Sequence, residues 1–329
     1  MAFQDIPGND RVKKILKLAL GRGRVPNSLL FVGPDGVGKH RTAVELAKAL
    51  NCQTRTDDAC GECASCRAIR DGTLPDVLEI SPEKSEITIK QIKGLKDIAY
   101  LRPMIGRSRV FIVDPADKMN DEAGNAFLKV LEEPPAFSRL FLVTSKPDLL
   151  LPTIRSRCQT MSFLPVSDED VVGALRSSGI EEDKARIIAL LVRGNLERAL
   201  SMSWDSVQEK RRAAWELFRA LVTRTGSVAF LRLFAFPRRN DRSETKDELA
   251  ETLELFSSFA RDGLLLLEGA EAGALFNPDY EPELRACLPF LEPDRAVRMI
   301  GAIETAEDGL SRSFNLSLLV TSLYSQMTG

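Results

Sequence analysis

The chain has 329 residues, 44% of them apolar and 28% charged, with a net charge of −2 and a sequence pI near 5.8. That length supports two or three domains with their own cores, and the near-neutral balance argues against a free-standing nucleic-acid binder, so any DNA contact is expected to be local and shared with partners. No apolar run approaches the roughly 20 residues needed to cross a bilayer, and the first residues lack the basic-then-apolar pattern of a secretory signal. A cytoplasmic protein with no membrane partner is the expectation.

In chain order, Asn9 or Asp10 is placed to cap a first helix whose Val12, Ile15, Leu16, Leu18 and Leu20 share a broad apolar face, ended by Gly21-Arg-Gly23. Arg22 and Arg24 follow, suited either to a nucleotide or neighbouring subunit or to a solvated turn. Leu29 to Val32 reads as a buried parallel strand. Gly33-Pro34-Asp35-Gly36-Val37-Gly38-Lys39 then fits G-x-x-x-x-G-K, and Thr42 to Leu50 continues as a helix. Glycines allow a tight turn with inward N–H groups, the helix N-terminus favours an anion, and Lys39 can reach terminal phosphates, so ATP or ADP is the expected ligand. The residue after the lysine is ordinarily Ser or Thr, whose hydroxyl holds Mg²⁺; here it is His40, the single histidine of the chain. Phosphate binding is therefore better supported than metal-assisted hydrolysis.

Four of the six cysteines follow as Cys52-x7-Cys60-x2-Cys63-x2-Cys66. Disulfides are not expected in a reducing compartment, and four closely spaced thiolates suit a tetrahedral, structural Zn²⁺ with no open coordination position. Val77 to Ile80 is a short strand and Thr88 to Leu101 an amphipathic helix. Ser108 to Asp114 is a second buried strand ending in a carboxylate, the place where phosphate-loop NTPases organise Mg²⁺ and often follow with a water-activating Glu. Here Pro115 takes that second place, Asp117 is expected to face elsewhere, and Asp114 reads equally as a metal-site carboxylate or a turn residue. Asn120 to Glu133 is helical, stopped by Pro134-Pro135; Arg139 to Thr144 is a third strand whose terminal Thr144 and Ser145 can sense a γ-phosphate. Arg155 and Arg157 lie on a short helix or loop, and Gln159 to Phe163 completes an alternating, mostly parallel, helix-covered sheet.

From Ser167 the strand signals vanish. Ser167 to Asp170 reads as a capping box opening a helix through Leu175, followed by helices at 181–193 and 196–202. Further helices are expected at 207–223, 227–236, 244–267, 282–291, 294–310 and 316–324, with loops at 237–241 and 269–282.

These motifs together resemble the AAA+ clamp-loader subunits of bacterial DNA polymerase III, within them the delta-prime branch. The matching stretches are Gly33 to Lys39, the four-cysteine insertion, Val110 to Asn120, Asn125 to Pro135, and Thr153 to Cys158. The resemblance implies an α/β AAA+ domain over 1–165 with the zinc module at about 51–70, a small three-helix lid over 166–204, and an all-α collar domain for oligomerisation over 205–329. It further implies that Arg157, in Ser156-Arg157-Cys158, is an arginine finger acting in trans on a neighbour's ATP, and that Arg198 is a lid arginine on bound nucleotide. The implied partners are the gamma or tau motor subunits and the delta subunit, with the sliding clamp and primed DNA within the complex. The motor branch of the family shares the zinc module and the Ser-Arg-Cys triplet but is expected to keep Thr or Ser at the place of His40 and Glu at that of Pro115. An independent phosphate-loop ATPase would account for the sheet but not for the cysteines or Pro115, and a scaffold without nucleotide is the third reading.

Overall fold

The computed structural model describes residues 3–55, 57–223, 242–311, 322–323 and 325–326. It divides into two compact units, one of residues 1–179 with 192–200 and the other of residues 180–191 with 201–329.

The first unit is built on a five-stranded sheet: β1 (Ser28–Val32), β2 (Val77–Ile80), β3 (Arg109–Val113), β4 (Ser138–Thr144) and β5 (Gln159–Ser162), in spatial order β2-β3-β4-β1-β5. All pairings are parallel, with Val32 opposite Thr144 and Val113 opposite Leu142, so the carboxyl ends of β1, β3 and β4 share one edge. The central strands read as unbroken apolar runs because both faces are covered. Leu29, Leu30 and Phe31 are buried, and the Phe31 ring meets Phe141 and Phe163 edge-on at 5.9 and 5.8 Å. On one face Phe111, Val113, Leu140 and Leu142 pack with Ile92 and Leu95 of α4 (Ile89–Ala99) and Phe127 and Val130 of α5 (Asp121–Glu132). The remaining helices of this unit are α1 (Asp10–Gly21), α2 (Lys39–Asn51), α3 (Ala64–Arg70), α6 (Pro152–Arg155), α7 (Asp168–Ser177) and α9 (Leu196–Ser201).

Several local expectations change. The buried stripe of α1 is the narrower Val12, Leu16 and Leu20, with Ile15 and Leu18 turned to solvent. Asn9 does not cap α1 through its side chain; its amide instead donates to the Val37 and Leu164 carbonyls and accepts from the Leu164 N–H, bracing the loop after β1 against the exit of β5. Helix α2 begins at Lys39, three residues earlier than expected, and α3 inside the cysteine module was not anticipated. At α7 the Ser167 hydroxyl accepts from the Asp170 N–H at 3.2 Å, but the Asp170 carboxylate accepts from that hydroxyl and not from the Ser167 backbone.

The second unit is helical among its described residues, with α8 (Glu182–Val192), α10 (Trp204–Val222), α11 (Arg242–Leu267), α12 (Glu281–Cys287) and α13 (Pro293–Ser311). Leu253, Phe256 and Ala260 are buried in its core, as their helical spacing predicts, around an aromatic cluster in which Trp215 lies 5.3 Å from both Phe259 and Tyr280. The expected helix at 227–236 and loop at 237–241 lie outside the described residues, as does the helix at 316–324 apart from 322–323. Among the described residues no helix is long and apolar enough to cross a membrane.

Candidate functional site

The loop from Gly33 to Gly38 leaves β1 and enters α2 at the edge where the sheet order places β1 between β4 and β5, the position at which open α/β sheets take ligands. Two glycines are demanded by close approach: a Cβ at Gly33 would lie 2.5 Å from the Phe163 carbonyl oxygen, and one at Gly36 (φ 70°) would collide with the Asn195 side chain. Lys39 is 6% exposed, and its ammonium donates to the Gly33 and Pro34 carbonyls at 2.7 and 2.5 Å, with Asp35 3.9 Å away. Burial pushes its pKa down, against the pull of nearby carboxylates led by Asp35. The loop opens on a cleft of 560 Å³ walled by Gly36, Gly38, Lys39 and His40 on one side and by Asp114, Pro115, Thr144 and Ser145 on the other. Pro34 contributes its carbonyl to Lys39, and Val37 is buried beneath the loop.

His40 sits at the start of α2 with Nδ1 2.8 Å from Asp114 Oδ2 and Nε2 3.6 Å from Glu79 Oε2 on β2. The hydrogen bond to Asp114 is the chief reason its pKa lies above 6.5; burial opposes the rise and Glu79 adds to it. Asp117 was expected to face elsewhere; it is not part of the cleft lining, but it reaches the site through Thr144. The 3₁₀ turn Ala116–Lys118 directs its carboxylate to the Thr144 hydroxyl, which donates to it at 2.5 Å while accepting from the Lys146 N–H at 2.9 Å. Thr144 is thus a buried, doubly engaged group at the end of β4. The sequence held a signal for this pair in the polar residues closing two neighbouring strands, but not the turn that aims Asp117.

Helix α9 supplies the remaining wall. Just before it, the Asn195 side-chain Oδ1 accepts from the Arg198 N–H at 2.9 Å, and the Glu197 N–H donates to the Gly36 carbonyl at 3.2 Å, so the helix start rests directly on the phosphate loop. Leu196, Glu197 and Leu200 line the cleft, whereas Arg198 is half-buried on α9 outside that lining. Arg22 and Arg24 sit in the turn between α1 and β1, at the opposite end of β1 from the loop, and Arg22 lines a separate groove with Lys13, Lys14 and Lys17.

The sulfurs of Cys52, Cys60, Cys63 and Cys66 all lie within 4.8 Å of one another, with Cys60 and Cys66 3.9 Å apart. Four thiolates about 2.3 Å from a tetrahedral ion are separated by about 3.8 Å, so sulfurs this close together suit a single metal ion. The N–H groups of Glu62 and Cys63 point at Cys60 Sγ at 3.4 and 3.3 Å. Hydrogen bonding, first from the Thr54 hydroxyl and then from these N–H groups, lowers the Cys60 pKa to about 6, while burial pushes Cys66 upward. Asp58 moors the module to the rest of the unit by accepting from the Phe3 and Ala59 N–H groups and pairing with Lys17 at 2.8 Å.

Arg155 and Arg157 lie at the end of α6, away from the cleft lining. Arg155 pairs with Asp148 at 3.0 Å; Arg157 pairs with Glu132 of α5 at 2.8 Å and donates to the Thr153 carbonyl at 3.2 Å. Both guanidinium groups remain more than a third exposed.

Residues 8–167 match the family described as DNA polymerase III, delta subunit. The delta' subunit of DNA polymerase III from Bacillus subtilis is 31% identical over 221 residues, covering 67% of each chain. The tau subunit of the same organism is 33% identical over 207 residues, 61% of this chain and 37% of its own length, and that of Escherichia coli is 36% identical over 212 residues, 62% of this chain and 33% of its own. This chain therefore spans only about a third of the tau relatives. The delta' match extends over two thirds of both partners and joins a five-stranded parallel sheet, a phosphate loop and a four-cysteine module in one chain, which belongs to the AAA+ clamp-loader subunit family of DNA polymerase III.

Proposed function

We propose that the chain is a delta-prime-type subunit of a clamp loader, assembled with gamma or tau motor subunits and a delta subunit, that helps place a sliding clamp on primed DNA. In this reading it binds ATP or ADP without turning it over. The observation that carries it is the 2.8 Å contact between His40 Nδ1 and Asp114 Oδ2. The side chain that ordinarily offers Mg²⁺ a hydroxyl is an imidazole engaged with the carboxylate that ordinarily organises the ion, and Pro115 cannot activate water. Residues 166–204 act as the lid and the helices from 205 onward as the collar. The four cysteines hold a structural zinc, which closes a segment too short for an apolar core of its own.

The catalytic contribution is made in trans by Arg157, with Arg155 as the rival. Charge developing on a γ-phosphate is stabilised by a planar, permanently charged guanidinium, an effect worth roughly 10³ to 10⁵ in rate, or at least about 4 kcal/mol. The pair with Glu132 is half-exposed and such pairs contribute about 0.2 to 1 kcal/mol, so giving it up for a neighbour's phosphate costs little. In a reconstituted complex, Arg157→Ala is expected to assemble with full zinc while DNA-stimulated ATP hydrolysis and clamp loading collapse. Normal loading by that variant, with Arg155→Ala defective, would move the role to Arg155.

The match to tau subunits favours one second reading, an ATP-hydrolysing motor. It is tested on the isolated chain. Negligible turnover supports the silent subunit, and robust turnover free of contaminating motor subunits supports the motor.

A further inference from the structure

Oxygen groups at or beside the cleft that a phosphate-loop enzyme would turn to magnesium are already engaged within this chain. Asp114 accepts from the His40 ring at 2.8 Å. Asp117 and the Thr144 hydroxyl are bound to each other at 2.5 Å. The next hydroxyl along α2, that of Thr42, is fully buried and donates to the Gly38 carbonyl at 2.7 Å. Magnesium demands near-octahedral oxygen ligands at about 2.0 to 2.1 Å and keeps several waters, and the imidazole engages the Asp114 oxygen that such an ion would need.

The same ring lies between two carboxylates, Asp114 at 2.8 Å and Glu79 at 3.6 Å. Ionised carboxylates only accept, so both ring nitrogens face acceptor oxygens, an arrangement that suits the doubly protonated, cationic ring. Both carboxylates favour the protonated ring, which would place a second positive charge beside Lys39. Lys39, held at 6% exposure with its ammonium over the Gly33 and Pro34 carbonyls, and the N-terminus of α2 provide the remaining attraction for a polyphosphate.

We propose that this cleft binds a nucleoside di- or triphosphate without a divalent cation, His40 standing where other phosphate loops hold magnesium. The proposal rests on the reading of the cleft as a nucleotide site and specifies the ionic form of the ligand it takes. It also supplies a physical reason for silence in hydrolysis: the nucleotide is held by monovalent cations that do not bridge β- and γ-phosphate oxygens as the metal does.

The test is calorimetric titration of the full chain with ADP and with ATP, in magnesium chloride and in EDTA. The dissociation constant is expected to agree between the two within about threefold, a difference under 1 kcal/mol. His40→Thr, which returns the hydroxyl and frees Asp114, is expected to bind more tightly in magnesium than in EDTA by about tenfold or more. Zinc content and circular dichroism establish that this variant is folded. Wild-type binding that weakens by more than about threefold in EDTA overturns the proposal and leaves the nucleotide site standing. Magnesium-independent binding by His40→Thr also overturns it, since His40 would not be the cause. Binding in neither solution overturns the proposal and the nucleotide site together, without touching the role of Arg157.

Discussion

Asp76 is fully buried just before β2, and its carboxylate holds a loop that no periodicity describes. Oδ1 accepts from the Met104 N–H at 2.8 Å and the Arg109 guanidinium at 2.9 Å, and Oδ2 accepts from the N–H groups of Ile105 and Gly106 at 2.7 and 2.8 Å. Each oxygen faces two donors. Asp76→Asn keeps the shape, but whichever way the amide is turned its NH₂ opposes two donors, and Arg109, 4% exposed, loses its counter-charge. An unsatisfied buried donor costs about 1 to 3 kcal/mol and an orphaned buried charge pushes the total toward the 3 to 5 kcal/mol of broken buried pairs, so a loss of about 3 to 5 kcal/mol is expected. Far-ultraviolet circular dichroism in a urea series is the assay, because Trp204 and Trp215 report the other unit. Burial pushes the Asp76 carboxyl up, but the Gly106, Ile105 and Met104 N–H groups and Arg109 outweigh it, and its pKa is held below the ordinary 3.8. A depressed carboxylate contributes stability that is present above its unfolded value and lost as pH falls through its folded one. The gap between wild type and Asp76→Asn is therefore expected to hold near neutrality and to close below about pH 3.8, the ordinary value. A loss under about 1 kcal/mol at neutral pH would refute the reasoning.

If the four cysteines hold the proposed zinc, one zinc per freshly purified chain is expected and Cys63→Ser is expected to lose it; a variant that retains full zinc would show that Cys63 is not a ligand. Because His40 is the single histidine, its titration is read from one imidazole signal in a nuclear magnetic resonance experiment. It faces Asp114 after β3, Glu79 on β2 and Glu197 on α9, and its midpoint is expected above 6.5, falling in Asp114→Asn. The sign follows from the raised value: the stabilisation from the Asp114 contact is complete below pH 6.5 and is lost as the pH rises through the His40 midpoint, so a midpoint at or below 6.5 contradicts the contact.

Short-range pattern was enough for much of this protein. The apolar run Leu29 to Val32 with seven loop residues behind it, and four cysteines inside fifteen positions, place the glycine-rich loop and the four-cysteine cluster, because the groups concerned are neighbours along the backbone. The buried face of α4 was likewise legible, since helical repeat and a covered sheet leave one side for the apolar residues. What the cleft does with its residues was decided elsewhere. His40 meets Asp114 across 74 positions and Asn9 meets Leu164 across 155, because the order β2-β3-β4-β1-β5 brings strand ends distant in sequence to one edge. The Thr144–Asp117 bond depends on a single 3₁₀ turn, and the exposure of Ile15 and Leu18 on how much of α1 its neighbours cover. Periodicity fixes which face of an element is apolar, but only the closed sheet and its parallel register determine which polar groups confront one another, and that confrontation raises the pKa of His40.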